Sequence, residues 1–300
     1  MIRDDFCTAC GAQSWRPLFE VDHFPIEKCR VCGLGRTKVD RRFPSFIEQK
    51  FYGDHYRKFY LDSRTKFLLM ARYRRIIRQD WPYFSSVRNI LDLGCSYGYF
   101  LEVAKEFGWD AVGLEPNASI YQYLRKRFSK SQVYNFTLER GRFRDEFDLV
   151  TYWDVLEHIG DPKRELALVH RALRKDGYLL VHCPNKGSLG ALISGPKWGW
   201  WSPPDHLYHF TPESLRRLIE RSGFRVVFLK TSNTEEEIVR GIFNLLSPKK
   251  IPRIAGWLNL LHDLTQRVLR PLLAPLLILE GRLGKAGLIT ILAQRRESSE

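Results

Sequence analysis

Methionine is scarce, with two in 300 residues, and no run of 18 apolar residues occurs in the chain. The second absence excludes an ordinary membrane-spanning helix. Residues 1–10 read MIRDDFCTAC and hold no apolar core of the signal-peptide kind, so a cytoplasmic location is expected. Cysteines number six, and in a cytoplasmic chain so small a set points to metal ligands or free thiols, away from a disulfide framework. A dinucleotide fingerprint is also missing. Counting G-x-G-x-x-G from Gly94 puts Ser96 and Tyr99 where the second and third glycines belong. Apolar residues, by contrast, make up 44% of the chain, which excludes disorder and supplies one full-sized core with attachments.

The net charge of +14 is unevenly spread. Residues 36–78 hold 13 Lys and Arg against 4 Asp and Glu, and residues 240–285 hold 8 against 2, while 79–239 is neutral. Basicity flanking a neutral body suits an anionic partner: nucleic acid, a phospholipid surface or a phosphorylated substrate. It suits two solvated helix faces equally well.

The chain is organised around residues 89–116, NILDLGCSYGYFLEVAKEFGWDAVGLEP. An apolar run holding Asp92 reads as a buried strand. The small-residue turn Gly94, Cys95, Ser96, Tyr97, Gly98 follows, then a helix with Phe100, Leu101, Val103, Ala104 and Phe107 at helical spacing. The second strand ends in Glu115 and Pro116. Such a β-turn-α-β unit brings a ligand to backbone amides at a helix start and offers a carboxylate to a ribose. LDLGCSYGYF resembles motif I (D-x-G-x-G-x-G) of class I S-adenosylmethionine methyltransferases, with Ser96 replacing the middle glycine. That departure is mild, because the cofactor has no pyrophosphate to crowd the turn. Without the resemblance, the unit reads as a Rossmann-like fold of unknown ligand.

At the N-terminus, Cys7 and Cys10 form one C-x2-C knuckle and Cys29 and Cys32 a second, 18 residues on. Gly11 and Gly33 follow the knuckles. Four cysteines at this spacing fit a tetrahedral zinc ribbon over 1–35, and a fully thiolate set leaves no open position, so the zinc is expected to be structural. Residues 36–84 read as a basic, aromatic linker with lid helices. Phe43, Phe46, Phe51, Tyr52, Tyr56, Phe59 and Tyr60 interleave with cations, a pattern suited to single-stranded nucleic acid, to a lid or to plain packing. In the resembled enzymes a tyrosine-bearing segment closes over the cofactor, which nominates Tyr56, on one helical face with Tyr52. Residues 61–79 form an amphipathic helix, with Phe67, Leu68, Met70, Ala71, Ile76 and Ile77 expected inward and the arginines outward.

Residues 85–300 read as the catalytic domain, interrupted by a helical insert over 232–285. Further strands are expected at 132–137, 147–155, 177–183, 224–230 and 288–294. Between them lie helices at 118–128, after Asp161-Pro162 and after Thr211-Pro212. The fold class is α/β, a doubly wound Rossmann-like sheet; the resemblance implies seven strands, the seventh inserted antiparallel. Ligands of such sheets bind at the carboxyl ends of strands, which nominates Trp153 and Asp154 beside the turn and Glu115.

The segment FDLVTYWDVLEHIGDP resembles the region after strand four in small-molecule and ubiquinone-type methyltransferases, and PDHLYHFTPESL a stretch recurring in the same group. A leading zinc ribbon is similar to that of bacterial sugar, glycan and natural-product methyltransferases. Methyl transfer to a hydroxyl or acidic C–H needs a base near neutrality, and histidine is the usual choice. His206 ranks first and His158 second, with His209 the third candidate; the alternative for His158 is orienting a helix start beside Glu157, and for His206 and His209 it is stabilising their loop. Trp198, Trp200 and Trp201 could wall an apolar or sugar pocket. The insert carries PLLAPLLIL and nearby cations, which suit an anionic membrane surface at its cytoplasmic face, a self-packed subdomain or a dimer contact. Two readings follow: a methyltransferase for a small-molecule acceptor (sugar, glycan or lipid-linked), and an RNA methyltransferase gripping nucleic acid with ribbon and basic stretch. A cofactor-binding module without catalysis is the third.

Overall fold

The computed structural model describes residues 6–39, 54–130, 132–233 and 278–296; Phe43, Phe46, Phe51, Tyr52 and most of the insert lie outside them, as does the side chain of Tyr56. The described residues form two sheets. A small antiparallel sheet is built from β1 (Trp15–Val21), β2 (Phe24–Cys29) and β3 (Gly35–Thr37). The main sheet has seven strands: β4 (Asn89–Leu93), β5 (Asp110–Leu114), β6 (Val133–Tyr134), β7 (Phe147–Trp153), β8 (Leu173–Pro184), β10 (Phe224–Ser232) and β11 (Leu288–Arg295). Their order is β10-β11-β8-β7-β4-β5-β6, with β11 antiparallel to both neighbours and β4 parallel to both of its own. The doubly wound sheet with one inverted strand is therefore as expected.

The lid region begins with α1 (Asp54–Leu61) and α2 (Ser63–Gln79). The helix expected over 61–79 forms as α2 and begins at Ser63, because the Asp62 side chain accepts from the Thr65 amide at 2.8 Å and caps it. A third, short helix, α3 (Trp81–Phe84), has Pro82 in its first turn, where a missing N–H costs nothing. The expected face of α2 needs correcting. Met70, Tyr73, Ile76 and Ile77 are buried, but Phe67 is 67% and Leu68 37% exposed, whereas Arg72 turns inward. A buried carboxylate partner, described below, draws that arginine in.

The remaining helices are α4 (Tyr99–Glu106), α5 (Ala118–Leu124), α6 (Leu138–Gly141), α7 (Pro162–Ala172), α8 (Leu189–Ser194) and α9 (Pro212–Arg221). Asn117, Asp161 and Thr211 each accept from a first-turn amide, as their sequence positions imply. Strand alternation divides the core into two layers. Leu91, Leu93, Val150, Tyr152, Leu179, Val181, Ile289 and Ile291 pack with α7, α9 and the cysteine knuckles. Ile90, Leu149, Trp153, Leu180 and Leu292 pack with α2, α3 and α4 on the other side. Among the described residues no helix is long and apolar enough to cross a membrane.

The ribbon is not an appendage. Its sheet takes a fourth strand, β9 (Tyr208–His209), from the loop after β8, with Gly35 opposite His209 and Arg36 opposite Tyr208. The Thr37 amide donates to the Leu207 carbonyl at 3.0 Å, and Lys186 Nζ donates to the Gly33 carbonyl at 2.9 Å. A two-residue strand pairing with a partner some 170 residues earlier leaves no periodic signal in sequence, and this pairing was not anticipated.

Candidate active site

The turn after β4 is shaped by three residues with positive φ: Gly94 (68°), Ser96 (47°) and Gly98 (78°). A Cβ at Gly98 would lie 2.6 Å from Phe128 and 2.9 Å from Leu124; one at Gly94 would lie 2.8 Å from Val155. Gly98→Ala is therefore expected to destabilise the fold by about 2–4 kcal/mol, from left-handed strain and overpacking combined, read as a lowered midpoint in urea. The amides of Gly94 and Cys95 both donate to the Leu114 carbonyl, at 2.9 and 3.0 Å.

Glu115 ties this turn to the next strand. Its Oε2 accepts from the Ser96 amide at 3.0 Å and its Oε1 from the Asn117 amide at 2.8 Å. Burial pushes its carboxyl up to about 7, against the pull of these two amides. Asp92, one strand over, accepts from Thr151 Oγ1 at 2.7 Å. Burial raises it to about 8, with Thr151 opposing and Glu115 adding to the rise. Pro116 leads from Glu115 into the Asn117 cap. Aromatic rings flank the turn: Tyr97 stacks on Tyr60 of α1 at 5.8 Å and meets Tyr123 edge-on at 5.1 Å. The Tyr99 hydroxyl donates to the Tyr60 carbonyl. Tyr60, a residue read only as one of many aromatics, is thus where the lid touches the turn. Tyr56 lies on α1.

At the end of β7, Trp153 packs against Tyr73 at 4.6 Å and Phe100 at 5.0 Å. Asp154, at φ 56°, has both oxygens engaged: Oδ2 with Arg72 Nη2 at 2.9 Å and Oδ1 with His182 Nδ1 at 3.0 Å. Burial opposes ionisation, but Arg72 and then His182 outweigh it, and the carboxyl is held well below the usual range. Arg72 and His182 were not singled out in the sequence. An arginine in a helix rich in arginines looks like a solvated charge, and His182 like one polar residue in a strand.

Beyond Asp154 a 3-10 turn, Leu156–His158, brings Glu157 and His158 up to the loop carrying His206. The Leu207 amide donates to the Glu157 carbonyl at 2.9 Å. His158 Nδ1 lies 2.7 Å from the Asp205 carbonyl and His206 Nδ1 2.8 Å from the Trp200 carbonyl. A carbonyl only accepts, so each Nδ1 bears the proton. The two rings meet edge-on at 4.7 Å, and Trp200 stacks beside His206 at 6.3 Å. Burial, with His158 adding to it, pushes His206 down to about 3, so it is neutral at physiological pH. Glu157 is 1% exposed, and neither of its carboxylate oxygens has a hydrogen-bond partner among the described residues. Glu157 entered the sequence reading only as a neighbour of His158. His209 is placed apart: its Nε2 bonds Thr37 Oγ1 at 2.9 Å, and that hydroxyl donates to the His206 carbonyl at 2.6 Å. It braces the loop from the ribbon side.

The cysteine sulfurs come together. Cys7 Sγ lies 3.4 Å from Cys32 Sγ and Cys10 Sγ 3.6 Å from Cys29 Sγ, and all four lie within 4.8 Å of one another. Tetrahedral zinc with bonds of about 2.3 Å places sulfurs about 3.8 Å apart, so the set fits that ion. The two knuckles are built alike: Gly11 and Gly33, at φ 79° and 78°, donate back to the Cys7 and Cys29 carbonyls.

Comparison with known proteins agrees with this geometry. Residues 54–229 match the methyltransferase-domain family. A Mycolicibacterium smegmatis protein named "Probable S-adenosylmethionine-dependent methyltransferase" is 24% identical over 156 residues, which are 52% of this chain and 59% of that one. A ubiquinone biosynthesis O-methyltransferase of Dinoroseobacter shibae is 28% identical over 168 residues, 52% of this chain and 67% of that one. The chain thus spans little more than half the length of the first of these relatives. Among solved structures, an S-adenosylmethionine-dependent methyltransferase from Archaeoglobus fulgidus superposes with a TM-score of 0.55 at 25% identity, covering 81% of this chain and all of that one. By sequence match and by the order and direction of its strands, the chain belongs to the methyltransferase-domain family, on the class I S-adenosylmethionine methyltransferase fold.

Proposed function

We propose that the protein transfers a methyl group from S-adenosylmethionine to a small-molecule acceptor held between the carboxyl end of β7 and the His206 loop. The observation that carries this reading is Glu115. Each of its oxygens accepts one backbone N–H, which leaves each a lone pair for one of two adjacent ribose hydroxyls. The Gly94, Cys95, Ser96, Tyr97, Gly98 turn, its backbone fixed by bonds to Leu114 and Glu115, packs around the methionine end, with Asp92 and Pro116 shaping its floor. Trp153 walls the far side, Asp154 fixes Arg72 and α2 there, and Tyr60 covers the turn; Tyr56, on the same helix, is assigned to the cofactor on its sequence position.

When bound, the cofactor supplies an electrophilic methyl carbon. The acceptor oxygen forms the new bond to that carbon as the carbon–sulfur bond breaks, leaving the methylated acceptor and S-adenosylhomocysteine. What the chain must do is align the acceptor, exclude water and remove its proton. We assign the last task to the pocket of Glu157, His158 and His206. Zinc on Cys7, Cys10, Cys29 and Cys32 is assigned a structural role, since four protein sulfurs complete its shell.

Titration of Glu115 makes a test. A ribose prefers the carboxylate, so protons compete with the cofactor below the free-protein pKa of about 7. Cofactor affinity should fall about tenfold between pH 8 and pH 6 in calorimetry, and Glu115→Gln should abolish that slope. A flat wild-type profile would count against the ribose contact.

The acceptor class favoured is a sugar, glycan or lipid-linked metabolite. The relatives named as ubiquinone biosynthesis O-methyltransferases support an oxygen acceptor. Exposed Leu192 and Ile193 of α8, with exposed Ile278, Leu279 and Leu283 in the described end of the insert, support an apolar carrier or a peripheral membrane contact. The RNA reading loses ground because part of the basic stretch is paired internally: Arg36 pairs with Glu27, Lys66 with Glu102, Arg72 with Asp154 and Arg74 with Glu106. Labelled-methyl transfer into fractionated lipid, polysaccharide and RNA pools decides between them.

A further inference from the structure

We propose that Glu157, His158 and His206 bind a divalent cation that recruits the acceptor through its oxygen atoms. This proposal rests on the methyltransferase reading for its purpose, but the cation site stands on its own geometry. One ligand atom from each of the three residues lies within 4.8 Å of the other two. Two imidazoles and one carboxylate form a donor set suited to divalent iron, manganese or zinc, and three protein ligands leave positions open for an acceptor oxygen or water.

Two further observations separate this cluster from three polar residues that happen to meet. The first is Glu157. A carboxyl 1% exposed with neither oxygen partnered among the described residues is a costly arrangement for a protein to keep. A cation between it and the two rings removes that cost. The second is the orientation of the imidazoles. Each turns its Nδ1–H to a backbone carbonyl, that of Asp205 for His158 and that of Trp200 for His206. Metal-binding histidines are held in this way by the ring nitrogen that does not ligate, which fixes the tautomer with Nε2 as the electron-pair donor. Bonds of about 2.0–2.2 Å place tetrahedral ligand atoms about 3.4 Å apart, a separation that falls inside the 4.8 Å within which these three atoms lie.

The arrangement also gives the ribbon a purpose. The His206 carbonyl is held by Thr37, and the strand after it is paired to β3, so the structural zinc sets the position of one ligand of the second site. Cation binding then changes the part played by His206: it would orient the acceptor as a ligand, and proton loss would follow from the acceptor's contact with the cation. The acceptor class is narrowed to molecules with oxygens placed to chelate, such as vicinal hydroxyls.

The test uses full-length protein carrying its zinc. Elemental analysis after reconstitution with zinc should give two equivalents per chain. Manganese titration, followed by the loss of its free-ion electron paramagnetic resonance signal, should give one site, because thiolates bind manganese poorly. Glu157→Gln and, separately, His206→Gln should weaken manganese binding at least tenfold while leaving one zinc and S-adenosylmethionine binding in place. Wild-type protein that takes one zinc and no manganese overturns the proposal, as does manganese binding that survives both substitutions. If S-adenosylmethionine itself fails to bind wild type, the methyltransferase reading falls and the cation site is judged on the metal data alone.

Discussion

Glu115→Ala is expected to weaken S-adenosylmethionine binding about a hundredfold, close to 2.7 kcal/mol. Two losses add. The ribose loses its charged acceptor, worth about 1.5–3 kcal/mol. The turn also loses its clip, since Ser96 and Asn117 donate to that same carboxylate. Glu115→Gln separates the two, because an amide offers one accepting atom and cannot hold both donors. It should fall between wild type and alanine. Calorimetry with S-adenosylmethionine and S-adenosylhomocysteine checks the series, and unchanged affinity in the alanine variant would move the cofactor away from this strand end.

The second large effect belongs to the zinc proposed on Cys7, Cys10, Cys29 and Cys32. Removing it with a chelator, or by Cys29→Ser, is expected to unfold the ribbon and cut methyl transfer more than a hundredfold, with cofactor affinity changed less than threefold. Structural zinc binding is worth about 10–16 kcal/mol, comparable with the whole net stability of a typical domain. Cys7, Cys29 and Cys32 are themselves core residues, packed with Leu34 and Leu207. Once they separate, β3 cannot hold β9, and the loop bearing His206 loses Thr37 as its anchor. Glu115, by contrast, takes its two backbone hydrogen bonds from Ser96 and Asn117, outside the ribbon. A split between transfer and cofactor affinity is the signature to look for. Equal loss of both would mean global unfolding, and no loss would mean the ribbon serves some other purpose.

Most of the architecture was legible because local signals agreed with it. Apolar runs marked the strands of the main sheet, although β6 holds only Val133–Tyr134 of the expected 132–137 and β8 starts at Leu173, ahead of the expected 177; Asn117, Asp161 and Thr211 cap their helices, and Glu115 directly follows β5. The cysteine spacing predicted a cluster that the sulfur distances bring together. What escaped was long-range. Nothing in a helix with five arginines distinguishes Arg72, whose burial depends on Asp154 at the tip of β7. Likewise, His209 reads like His206 in sequence, yet one meets Thr37 of the ribbon and the other points its ring at His158. Phe67 and Leu68 matched the apolar period, but the buried stripe runs through Met70, Tyr73 and Ile77. Periodicity finds a helix more securely than it finds which face meets the core.

The sheet shared by β3 and β9 bears on how the chain is made. During synthesis Gly35 and Arg36 leave the ribosome long before Tyr208 and His209 do, so the three-stranded part of the small sheet waits for its last strand. Closing so distant a contact is slow, and the loop carrying His206 can be anchored only after the pairing of β3 with β9 has formed.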